Sequence, residues 1–71
     1  MHLKNDVNDY HISTLVPFGE DRWETCVFDD SLTRRTDRSK VVSICQTKDQ
    51  AYAAHYAVVN AIRFLEGIGY E

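Results

Sequence analysis

The sequence predicts an α+β domain: three antiparallel strands, in the order one-two-three, followed by one C-terminal helix packed on one face of the sheet. Three observations carry this expectation. A capped pattern with helical period fills the last third of the chain, and three β-branched, alternating segments precede it. The connections between those segments are short, which favours antiparallel pairing of neighbours. A chain of 71 residues makes a single domain, 1–71.

Residues 1–9 are polar and are expected to form a flexible arm. The first strand is expected over 10–18, with Ile12, Thr14 and Val16 on one side and Pro17 at its end, where a missing ladder donor costs nothing. Gly19-Glu20-Asp21 turns the chain into a second strand, 22–28. Trp23, Thr25 and Val27 point one way from it, and Glu24, Cys26 and Phe28 the other. Residues 29–39 read as a polar hairpin loop. A third strand follows over 40–46, with Val42 and Ile44 on one face and Val41, Ser43 and Cys45 on the other.

The helix is expected over 48–66. Thr47-Lys48-Asp49-Gln50 fits a capping box, and Gly67 supplies the left-handed residue that ends a helix. Ala51, Ala54, His55, Val58, Ile62 and Leu65 form the core-facing stripe. One helix covers only one sheet face, and the other face of an antiparallel sheet is ordinarily polar. Strand two is instead apolar on both sides, which leaves large side chains without cover. Ala53, Ala57, Asn60 and Phe64 form a second stripe on the helix, flanked by Tyr52 and Tyr56. Such a stripe suits a partner, although alanine is also simply a good helix former.

Charge narrows the function classes. The net charge is −3, with −5 in residues 1–30 and +3 in residues 31–50. A mildly acidic domain with one basic loop lacks the coherent positive face of a nucleic-acid binder. Arg34, Arg35, Arg38 and Lys40 are nonetheless the residues that would grip phosphates, if any do. Two cysteines without a CxxC spacing predict reduced thiols and a cytoplasmic protein, and the polar N-terminus does not resemble a signal peptide. Cys26 and His55 are the one pair placed to act as thiolate and imidazole, but both sit where structural core residues also sit. His2, His11 and His55 lack metal-ligand spacing, and no glycine-rich phosphate loop is present. The expectation is no enzyme, no catalytic residue, no metal and no cofactor.

Trp23-Glu24-Thr25-Cys26-Val27-Phe28, a polar stretch, and then Thr47 with Ala51, His55, Val58 and Val59 form a combined pattern. It resembles small uncharacterised proteins encoded by bacteriophages and prophages. Their motif runs aromatic-Glu-Thr-hydrophobic-Val-Phe on a strand, then Ala-xxx-His-xx-Val on a capped helix. The resemblance spans roughly residues 22–62, and the family favours Met where this chain has Cys26. The family has no assigned activity, so the resemblance implies a phage origin and not a mechanism. By analogy with other very small phage proteins, anti-CRISPR inhibitors of host defence among them, the expectation is an accessory protein that binds a host protein stoichiometrically in the host cytoplasm. The partner-binding residues expected are Trp23, Ala53, Tyr56, Ala57, Asn60 and Phe64. The alternatives are a homodimeric interaction module and a nucleic-acid contact through residues 34–40.

Overall fold

A computed structural model describes residues 2–32 and 39–68. It is α+β, with β1 (Leu3–Val7), β2 (Tyr10–Leu15), β3 (Trp23–Asp29), β4 (Ser39–Cys45) and α1 (Lys48–Leu65). The sheet is antiparallel in the order β1-β2-β3-β4, so it has four strands and not the three expected. The added strand is the segment expected to be an arm. Leu3, Asn5 and Val7 pair with Thr14, Ile12 and Tyr10 across a two-residue hairpin. Asn8 takes the left-handed conformation there (φ 52°), which asparagine tolerates better than most residues.

Thr47 caps α1 by accepting from the Gln50 backbone N–H at 3.2 Å. The C-terminus closes with the Ile68 N–H donating to the Arg63 carbonyl at 2.9 Å and the Gly67 N–H to the Phe64 carbonyl at 3.1 Å. Gly67 supplies the left-handed residue (φ 76°) that this double bond requires.

Val7, Ile12, Val59 and Ile62 form the centre of the core, with Tyr10, Val27 and Val58 packed against it. The buried stripe of α1 is therefore Ala51, His55, Val59 and Ile62. Two expectations about its phase are corrected. Val59 is buried where Val58 was expected, and Leu65 is 79% exposed. Both corrections share a cause with the missed strand: β1 brings Val7 under the helix, and the helix turns Val59 onto it.

A bulge in β4 corrects a third expectation. Thr25 pairs with Ser43 while Cys26 pairs with Val41, so Val42 is the extra residue. Val41 and Ile44 thereby share a face, and Val42 turns with Lys40 toward the helix side.

Candidate interaction surface

The sheet separates two chemically different layers. On the helix side, polar groups form a closed chain. His55 is fully buried, with its Nε2 2.7 Å from Asn5 Oδ1 and its Nδ1 2.8 Å from Thr14 Oγ1. Thr14 Oγ1 lies in turn 2.7 Å from Thr25 Oγ1. A carboxamide oxygen only accepts, so Nε2 carries the imidazole proton and Nδ1 accepts from the Thr14 hydroxyl. Thr25 then donates to Thr14. No buried side-chain polar atom among the described residues is left without a partner. Burial, and then the nearby His2, lowers the His55 pKa and holds the ring neutral.

Cys26 lies on the opposite face of the sheet. Its row runs Lys4, Ser13, Cys26, Val41, whereas His55 contacts the row through Thr14 and Thr25. The thiolate–imidazole pair considered from the sequence is not assembled, because the sheet stands between the two groups. Burial, and then the Glu24 charge, raises the Cys26 pKa, which favours the neutral thiol.

Among the described residues no helix covers that opposite face. The domain is only 15 Å thick along its shortest axis, which fits one sheet and one helix layer. Leu15, Cys26, Phe28, Val41 and Ile44 lie on this open face, concentrated toward the β3–β4 side. Val41 and Ile44 are 51% and 58% exposed. Toward β1 and β2 the face becomes charged. His11 stacks at 5.9 Å against Phe28 and holds Asp6 through Nδ1 at 2.8 Å, with Asp30 at 3.7 Å from Nε2. The Asp6 hydrogen bond is the main cause of a raised His11 pKa. At the other end Arg22 bridges Glu20 at 2.6 Å and Glu24 at 2.7 Å.

The partner residues expected from the sequence fall elsewhere. Ala53, Ala57 and Phe64 are exposed on α1, and Tyr56 and Asn60 are half-buried. Tyr56 packs on Tyr52 at 5.0 Å, and burial followed by the Tyr52 hydrogen bond raises its pKa. Trp23 is half-buried on the helix side of β3, opposite Cys45, and is not part of the open face. Arg34, Arg35 and Arg38 lie outside the described residues. Lys40, the second residue of β4, lines a cleft. Val41, Ile44 and His11 were missed as surface residues: the bulge hid the shared face of the first two, and His11 was read only as a metal candidate.

Among the described residues no group of three His, Cys, Asp or Glu side chains is placed to hold a metal ion. No described helix is long and apolar enough to cross a membrane. No protein-family model, curated protein or solved structure matches the chain.

Proposed function

We propose that the chain is a non-enzymatic binding protein whose open sheet face docks onto a host protein, one to one, in the host cytoplasm. The apolar strip of Leu15, Cys26, Phe28, Val41 and Ile44 carries this reading. An antiparallel sheet normally sets polar residues on its uncovered face, and contiguous exposed apolar side chains favour a partner. Asp6, Asp30 and the Glu20–Arg22–Glu24 cluster give the strip a net acidic border. That border complements a basic target surface, such as that of a nucleic-acid-binding defence protein. An anti-CRISPR-like inhibitor is the form this proposal takes by analogy with other very small phage proteins.

The outer face of α1 is a second candidate, because Ala53, Ala57 and Phe64 are exposed beside the paired Tyr52 and Tyr56. Pull-down from a bacterial lysate, followed by a mass measurement on the purified complex, separates the two. Val41→Glu and Ile44→Glu alter exposed side chains and are expected to leave the fold intact while abolishing a one-to-one complex. Ala57→Arg is expected to keep it. Retention by the sheet variants and loss by Ala57→Arg would move the site to the helix. A salt-sensitive gel shift removed by changing Arg34, Arg35 and Arg38 would favour nucleic acid instead.

A further inference from the structure

The turn between β2 and β3 presents an aromatic ring that no described residue covers. Phe18 is 105% exposed. It stands at the corner of a four-residue turn closed by the Glu20 N–H donating to the Pro17 carbonyl at 3.0 Å. Gly19, at φ 81°, supplies the positive dihedral that a type II turn needs at its third position. The salt bridges of Arg22 to Glu20 and Glu24 brace the base of the turn. The ring is thus held out on a braced corner, at small ordering cost to any contact it makes.

A matching concavity lies at the other end of the domain. Val59 and Ile62 of α1 pack with Val7 and Ile12 of β1 and β2, and a gap opens between α1 and the β3–β4 side. The result is a cleft of about 420 Å³, walled by Val58, Ala61 and Ile62 of α1 and by Val27 and Val42 of the sheet. Its volume is near the lower end of the ~300–1,000 Å³ that takes a small organic ligand, which is ample for one aromatic ring. The charges complement each other as well. Lys40 lies at the cleft and Asp21 follows the Phe18 turn, and neither makes an ion pair among the described residues. Asp29, the acid at the cleft, is already engaged by the Ser31 N–H and hydroxyl at 3.0 and 2.6 Å.

We propose that two copies of the chain pair by inserting Phe18 of each into the α1–β4 cleft of the other, with Asp21 meeting Lys40 at its mouth. Phe18 cannot reach the cleft of its own chain. Tyr10 lines the cleft at the start of β2, and Phe18 follows the far end of that strand, roughly 20 Å away at ~3.4 Å per residue. A two-fold axis makes the contact twice and closes the assembly as a dimer. None of the five apolar residues of the open sheet face takes part. Self-pairing and docking of a host protein therefore use separate surfaces, and the failure of one leaves the other standing.

Sedimentation equilibrium over a wide concentration range tests this. Wild type is expected to rise from 8.2 kDa toward twice that mass. Phe18→Ala, which removes the knob, and Val42→Glu, which places an acid in the cleft, should each associate at least tenfold more weakly. Circular dichroism checks that both stay folded, and Ala61→Arg blocks the same cleft if Val42→Glu does not. The mixture is decisive: Phe18→Ala keeps a cleft and Val42→Glu keeps a knob, so together they should form a one-contact heterodimer that neither forms alone. Three results would each overturn the proposal: a monomeric wild type at millimolar concentration, undiminished association of Phe18→Ala, or no recovery on mixing.

Discussion

Thr14→Val isolates the buried polar chain, because valine keeps the shape of threonine and deletes only the hydroxyl. That hydroxyl is fully buried and joins His55 Nδ1 at 2.8 Å to Thr25 Oγ1 at 2.7 Å. Its loss leaves the imidazole nitrogen without a donor and the Thr25 hydroxyl without an acceptor. Each stranded group costs ~1–3 kcal/mol, so the substitution should cost about 2–6 kcal/mol. A domain of this length has a total stability of roughly 4–10 kcal/mol at ~0.05–0.15 kcal/mol per residue. The variant should therefore be only marginally folded.

Urea denaturation followed by circular dichroism measures the effect. With a slope near ~1 kcal/mol/M for so small a domain, the midpoint should fall by about 2 M or more. A fall under about 0.5 M would refute the reasoning, since the hydroxyl would then not be the joint of a buried chain. A double-mutant cycle sharpens the test. His55→Leu alone strands Thr14 and Asn5, but combined with Thr14→Val it puts apolar groups at both central positions. The double variant should cost clearly less than the sum of the two single ones. Strict additivity would show that the two side chains do not interact.

His55 of α1 and His11 of β2 give opposite pH dependences. An unfolded His55 takes a proton near the ordinary value of 6.5 and the folded one only at lower pH, so stability should fall as pH drops below about 6.5. His11 has a raised pKa, so its contribution is complete below 6.5 and is lost as pH rises through the raised value. Melts of His55→Leu and His11→Gln across pH 5–9 should each remove one of these slopes; unchanged slopes would contradict the assignments. Thr47→Ala should cost ~1 kcal/mol through loss of the bond to the Gln50 N–H, and an unmoved melt would mean that the cap contributes nothing. Cys26→Ala, which keeps a small apolar group in the open-face strip and removes only the thiol, should leave partner binding nearly intact in the same pull-down, because the raised thiol pKa argues against a thiolate role; abolished binding with the fold retained would reopen that role.

The helix was legible because its cap, its period and Gly67 all act within a few residues of one another. β1 was not, and the reason is one residue. Leu3 and Val7 alternate as a strand should, but Asn5 stands between them at a core-facing position and makes the segment read as polar. Its partner is the imidazole of His55, 50 residues away. A polar residue satisfied by a distant side chain has no local signature. The same distance effect hid the helix phase, since Val59 turns inward to meet Val7 of the missed strand. The β4 bulge was equally silent, because an extra residue between Val41 and Ser43 depends on the register of β3. The apolar excess of the sheet was legible, since strand alternation alone puts Cys26 and Phe28 opposite Thr25 and Val27.

The proportions of the core connect these features to the proposed function. Among the described residues, Val7, Ile12, Ala51, Val59 and Ile62 are the buried hydrophobics, and Thr14, Thr25 and His55 occupy the rest of the interior. Val41, Val42, Ile44, Phe18 and Phe64 all remain exposed, so much of the apolar surface that folding could bury is still in water. A hydrogen-bonded polar core contributes geometry more than net stability, because each bond replaces one made to water. The domain therefore holds its strands in a defined register while keeping apolar area in reserve. A ligand that binds only the folded state raises its stability by ~2.7 kcal/mol at a hundred times the dissociation constant. Against the small total expected of a 71-residue domain, that gain is large. Binding at the open sheet face should accordingly register as a marked rise in melting temperature, and an occupied face that left the melt unmoved would break the link between the sparse core and the exposed strip.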